Sequence, residues 1–330
     1  MLFPGQFPNT RLRRLRQSPW VRDLVAESSL TLKDLILPIF IRTAETAAHI
    51  TSLPGVQRYA LEELPTLIDQ INTAGITAIA LFPVTPPSLK TPEGKEALNP
   101  DNLVCQAIRL IKSLNPNLGI ITDVALDPYT DHGHDGLIVN HQVDNDQTID
   151  MLCQQALNQA QAGADAIAPS DMMDGRIGAI RRFLDSHGFN QTLIISYAIK
   201  YASAFYGPFR HAIGVSTLKG LPDKKTYQLN PANVNEALRE VALDIQEGAD
   251  MLIVKPGLPY LDVVYRVAHT FQMPTLAYQV SGEYASIMAA GQNGWIDTDQ
   301  AFLESLLAFK RAGACGILTY CALRMAPYLQ

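Results

Sequence analysis

The chain is expected to fold as a closed (β/α)8 TIM barrel with an extended N-terminal arm, and two patterns carry that expectation. A helical segment that ends in glycine and runs within a few residues into a short β-branched stretch recurs four times, in residues 73–84 (TAGITAIALFPV), 161–171 (QAGADAIAPSD), 246–256 (QEGADMLIVKP) and 311–321 (RAGACGILTYC). Each glycine suits a helix C-terminal cap ahead of a buried parallel strand. Four further apolar runs, at 35–41, 119–126, 192–200 and 274–282, bring the strand count to eight. Amphipathic stretches of helical length, such as 145–161 and 233–246, lie between them. Eight alternating units favour a closed barrel over an open doubly wound sheet.

The barrel accounts for residues 35–330, and residues 1–34 precede its first strand. That leading segment carries Arg11, Arg13, Arg14, Arg16 and Arg22 around Pro19 and Trp20. Interleaved with Val21, Leu24 and Val25, these residues suit an arm that packs on a neighbouring subunit better than a nucleic-acid tail. A single α/β barrel accommodates all 330 residues. The net charge of −6 and pI near 5.6 lack the basic face that phosphate binding requires, so no nucleic-acid partner is expected. No apolar run approaches the roughly 18 residues needed to span a bilayer, and the N-terminus lacks the apolar core of a secretory signal. A soluble, cytoplasmic protein without membrane contact is expected. Cys105, Cys153, Cys315 and Cys321 show no C-x-x-C spacing and are expected to be reduced, buried thiols.

Active sites of such barrels lie at the C-terminal ends of the strands. Those ends carry Asp123 and Asp127 at the third strand, Ser170 at the fourth, Lys200 at the fifth, Lys255 at the sixth, Ser281 at the seventh and Tyr320 at the eighth. A lysine that closes a buried strand loses water, which lowers its pKa and frees its amine to attack a carbonyl. Either lysine alone is as readily a structural residue paired with a carboxylate. Together above one barrel mouth, each ammonium raises the cost of charging the other, so at least one amine is expected to be neutral near physiological pH.

Two long segments flank these ends. After the third strand, DVALDPYTDHGHDG spaces Asp123, Asp127, Asp131 and Asp135 four apart, but Pro128, Gly133 and Gly136 make it a loop. Its oxygen ligands suit Mg²⁺ or a monovalent ion better than Zn²⁺; the alternative is a solvated lid anchored by turn-forming aspartates. After Lys200, the connection 207–230 is long for a βα loop, as active-site lids are. It supplies Arg210 beside Tyr206 and Phe209, then Lys219, Lys224, Lys225 and Gln228. These cations suit a carboxylate-bearing substrate.

Taken together, DVALDPYTDHGHDG, PSDMMDGR, SYAIKYASAFYGPFR, LIVKPGLPYLD, AYQVSGEY and ILTYCA resemble the 5-aminolevulinate dehydratase, or porphobilinogen synthase, family, in order from about Arg13 to the C-terminus. The resemblance implies a barrel lyase that condenses two molecules of 5-aminolevulinate into porphobilinogen with loss of two waters, in tetrapyrrole synthesis. The family's two Schiff-base lysines fall on Lys200 and Lys255, one for each substrate molecule. Arg210, Gln228 and Lys224 would grip one carboxylate, and Ser281 and Tyr320 the other. Asp123 and Ser170 would face the first substrate, with Tyr206 and Phe209 packed over it. Lys224 stands where an arginine is usual, after a loop that looks longer, and a lysine lacks the bidentate fork.

Zinc-dependent members of the family carry three cysteines at the positions of Ala125, Asp127 and Asp135, and this chain has none of them. The resemblance is therefore to the aspartate-rich, magnesium-responsive type, without zinc. It places an allosteric Mg²⁺ at Glu240 and implies octamers whose arms wrap a neighbour. A single-lysine aldolase barrel and a catalytically dead barrel are the rival readings.

Overall fold

The computed structural model describes residues 5–214 and 223–329. Eight parallel strands form the barrel: β1 Leu35–Arg42, β2 Ala78–Val84, β3 Gly119–Val124, β4 Ala166–Pro169, β5 Leu193–Lys200, β6 Met251–Lys255, β7 Thr275–Gln279 and β8 Gly316–Thr319. Each pairs with the next, and β8 returns to β1 through Leu35↔Ile317 and Ile36↔Leu318, which closes the sheet. The expected (β/α)8 barrel is the fold observed.

Strands covered on both faces leave no wet side, which is why they are near-continuous runs of Ile, Leu, Val and Ala rather than alternating ones. Helices such as Leu64–Ala74, Leu103–Leu114, Asn145–Ala162 and Asn235–Glu247 supply the outer layer. Gly75, Gly163 and Gly248 cap their helices at left-handed φ of 79°, 109° and 106°. The helix Thr298–Arg311 is capped by Ala312, and Gly313 follows it. The aspartates after two of these glycines fix the strand starts: the Ile120 N–H donates to Asp165 and the Ile194 N–H to Asp250, each at 2.7 Å.

That anchoring matters at the other end of the sheet. At the base, Ile195 pairs with Met251 and Ser196 with Leu252, but beyond them Ile199 pairs with Val254, so β5 holds one more residue than β6 over this span. Such a bulge resets the in–out alternation of side chains. It lets Tyr197 and Lys200, three residues apart, both reach the interior, and it brings Lys200 into register with Lys255.

Residues 5–34 bury none of their side chains. The turns Leu12–Arg16 and Pro19–Leu24 leave Leu12, Leu15, Trp20 and Leu24 exposed, Trp20 at 68%. Where this arm meets the barrel, Lys310 pairs with Asp34 at 2.7 Å. Among the described residues no helix is long and apolar enough to cross a membrane. Cys105, Cys153 and Cys321 are buried thiols as expected; Cys315 is instead exposed, because it precedes β8 outside the packed layers.

Candidate active site

One narrow cavity at the C-terminal mouth of the barrel is lined by Asp123, Asp127, Asp135, Ser170, Lys200, Tyr206, Phe209, Arg210, Lys224, Gln228 and Lys255. Its residues come from β3, the acidic loop, β4, β5, β6 and both described flanks of the 207–230 connection. The loop folds back on itself through the Leu126 N–H, which donates to the Asp135 carbonyl at 3.1 Å, so Asp127 and Asp135 meet. Asp131 points away and is exposed, so the four evenly spaced aspartates do not share a side. Lys219 lies outside the described residues.

Lys200 and Lys255 occupy paired positions on adjacent strands and are each 5% exposed. Their surroundings differ. Lys200 Nζ donates to Asp135 Oδ1 at 2.8 Å and to the Ser170 carbonyl at 2.5 Å. Burial alone would lower its pKa, but Asp135 and Asp127 outweigh that and raise it. Asp135 itself would be pushed up by burial, yet the Lys200 and Lys224 ammoniums hold it below the ordinary carboxylate range.

Lys255 has no carboxylate within ion-pair distance among the described residues. Its Nζ lies 5.0 Å from the ring centres of Tyr197, Phe209 and Tyr278 and 5.5 Å from that of Tyr206. Aromatic faces attract a cation weakly compared with what it loses in hydration. Burial, then the Lys200 charge, lowers the Lys255 pKa to about 7 against the pull of Asp123. Asp123 moves the opposite way: burial and the neighbouring Asp127 raise it to about 7. The cavity therefore holds an amine whose pKa is lowered and a carboxyl whose pKa is raised.

Lys224 Nζ lies 2.7 Å from Asp135 Oδ2 and 3.8 Å from Asp127 Oδ2. The place left open for a cation between Asp127 and Asp135 is thus taken by an ammonium, and Tyr227 Oη adds a 2.7 Å hydrogen bond to Asp135 Oδ2. Among the described residues no group of three or more His, Cys, Asp or Glu side chains is placed to enclose a metal ion. His134, buried behind this loop, meets Tyr227 Oη through Nδ1 at 3.1 Å.

Ser281 and Tyr320 sit at the expected strand ends but do not line the cavity. Phe209 stands in the way: its ring packs on Phe40 and Phe82, its N–H donates to Ser281 Oγ at 2.9 Å, and Ser281 donates onward to the Phe205 carbonyl. Tyr320 lies behind, hydrogen-bonded to Tyr278 through the two hydroxyls at 3.1 Å. The open volume left between the lysines, about 20 Å³, holds little more than one water.

Sequence reasoning missed Tyr197, Tyr278 and Tyr227. The first two sit in β5 and β7 among apolar residues, and only the bulge and the barrel closure show that their rings face Lys255. Glu240 lies elsewhere: it lines a separate cavity with Asp174 and Glu236, on the far side of the wall formed by residues 225–229. Burial, then Asp244, raises its pKa, with Asp174 and Glu236 adding to the effect and Arg176 opposing it.

A barrel that presents two buried, register-matched lysines to one cavity of carboxylates, hydroxyls and cations defines a lyase of the carbonyl-activating, lysine-dependent class. The family model described as delta-aminolevulinic acid dehydratase matches residues 9–328, and the chain belongs to that family. It is 57% identical to the delta-aminolevulinic acid dehydratase of Bradyrhizobium diazoefficiens over 97% of this chain and 91% of that one. It is 53% identical to the Rhodobacter capsulatus enzyme of the same name over 97% of each chain. The crystal structure of the Toxoplasma gondii ME49 enzyme in complex with its reaction product porphobilinogen superposes with a TM-score of 0.95 at 45% identity, over 98% of this chain and 92% of that one.

Proposed function

We propose that the chain condenses two molecules of 5-aminolevulinate into porphobilinogen with loss of two waters, and that Lys255 and Lys200 each hold one molecule as an imine. The observation that carries this is the register match of the two lysines over one cavity. Each neutral amine attacks a ketone carbon and expels water; the iminium that results draws electrons from the neighbouring C–H, which acidifies it for carbon–carbon bond formation. Asp123, at about 7, is poised to exchange protons with these centres. Lys200 starts as an ammonium and becomes a nucleophile only after passing a proton to Asp135, the carboxylate in hydrogen-bond contact with it.

Arg210, Lys224 and Gln228 converge on the Lys200 side and suit one substrate carboxylate. Lys224 reaches it by leaving Asp135, so the carboxylate competes with an internal ion pair. Ser281 and Tyr320 receive the second carboxylate once Phe209 withdraws. Ser170 anchors Lys200, and Tyr206 covers the site from above. Purified protein tested for porphobilinogen formation decides the reading: Lys200→Ala and Lys255→Ala each abolish it, and turnover by either variant rejects the two-imine account.

Magnesium belongs to this reading at Glu240. The half-buried Glu240 feels the charges of Asp174 and Glu236 across that cavity, and Mg²⁺ prefers one or two carboxylates with several retained waters over a closed protein cage. Glu240 would hold the ion, with Asp174 and Glu236 facing its waters, and the ion would supply charge neutralisation there. The chain's lack of cysteine at 125, 127 and 135 supports a reaction without zinc. The exposed apolar arm supports a homo-octamer in which arms cover neighbouring barrels.

A further inference from the structure

One buried carboxylate takes no part in the chemistry assigned above. Glu283 is 3% exposed and, among the described residues, has no cationic side chain within ion-pair distance. It is satisfied by backbone alone: Oε1 accepts from the Leu258 N–H and Oε2 from the Val280 N–H, each at 2.5 Å, and the Gly257 N–H adds a third donor. These donors belong to two different turns. Gly257 and Leu258 leave β6 just after Lys255, whereas Val280 leaves β7 just before Ser281. A single carboxylate therefore ties the strand end that carries the Lys255 amine to the strand end that carries the Ser281 hydroxyl.

The turn has no slack to absorb an error. A Cβ on Gly257 would meet the Phe309 ring at 2.4 Å and the Tyr278 carbonyl at 3.0 Å. On the other side, a Cβ on Gly282 would meet the Phe205 carbonyl oxygen at 2.5 Å. Both turns are pressed against their neighbours, and Glu283 is the link between them.

We propose that Glu283 is a positioning residue that sets the distance between the Lys255 amine and the Ser281 hydroxyl, and so selects the substrate molecule held at Lys255 by the spacing of its ketone from its carboxylate. The inference rests on the roles given to Lys255 and Ser281 above. In a 4-oxo acid three bonds separate the ketone carbon from the carboxyl carbon, and that span is what the two strand ends must bracket. Gln at 283 keeps the volume but turns one acceptor into a donor facing a backbone N–H. One of the two turns is then released.

The test traps imines with borohydride and maps them to peptides, using 4-oxopentanoate and its longer homologue 5-oxohexanoate as probes, alongside porphobilinogen kinetics. In the wild type, label at Lys255 favours 4-oxopentanoate by about tenfold, a usual value for one methylene in a fitted pocket. In Glu283→Gln that preference largely disappears, label at Lys200 stays within about twofold, and KM rises more than kcat falls. A folded Glu283→Gln that keeps the wild-type preference overturns the proposal. Where that variant does not fold, Glu283→Asp decides: it retains both carboxyl oxygens with a shorter reach, and an unchanged preference overturns the proposal equally. A wild type without label at Lys255 rejects the assignment of that lysine instead.

Discussion

Lys200 Nζ is 2.8 Å from Asp135 Oδ1, and that ion pair makes the two lysines of the site chemically unequal. Lys255 stands on the paired residue of the next strand with aromatic rings about it in place of a carboxylate. Asp135→Asn leaves Lys200 buried without its counter-charge, which should cost about 3–5 kcal/mol of stability. The urea midpoint should fall accordingly, and imine trapping at Lys200 should extend to lower pH because the amine is no longer held protonated. An unchanged midpoint with an unchanged pH profile would show the pair to be incidental.

The depressed pKa of Lys255 gives a signed stability effect. Between about 7 and its unfolded value near 10.4 the unfolded chain binds more protons at this residue than the folded one. The cost of burying the amine is therefore complete below pH 7 and disappears as pH rises through that window. Lys255→Met should raise the melting temperature, most at pH 6 to 7 and least near pH 10. A gain that grows with pH would contradict the direction assigned to Lys255.

Magnesium should act at Glu240 and not between Asp127 and Asp135. EDTA should lower porphobilinogen formation and Mg²⁺ restore it, while a zinc-specific chelator leaves it untouched. Mg²⁺ should also raise the melting temperature of the wild type but not of Glu240→Ala, by preferential binding to the folded assembly. Strong inhibition by the zinc chelator would overturn the aspartate-type reading.

Much of this site was legible in the sequence because barrel strands deliver their last residue to one mouth. Lys255 and Ser170 follow runs that a glycine-capped helix announces, Asp123 and Lys200 lie at the ends of apolar runs without that signal, and all four converge because of the barrel topology. What stayed hidden depends on contacts between distant segments. The bulge after Ser196 decides that Tyr197 shares the interior with Lys200, and no spacing rule reveals it. Asp135 reads as a metal ligand until residues 223–229 are seen to bring Lys224 and Tyr227 onto it. Ser281 and Tyr320 stand where expected, but Phe209 covers them because its ring finds Phe40 and Phe82.

The central claim is that both lysines form imines and that the neutral one reacts first. Rapid mixing with a single equivalent of 5-aminolevulinate near pH 7, quenching with borohydride and peptide mapping tests it most directly. Label should appear at Lys255 before Lys200 and at both lysines when substrate is saturating. Label confined to one lysine at saturation, or appearing first at Lys200, would contradict it.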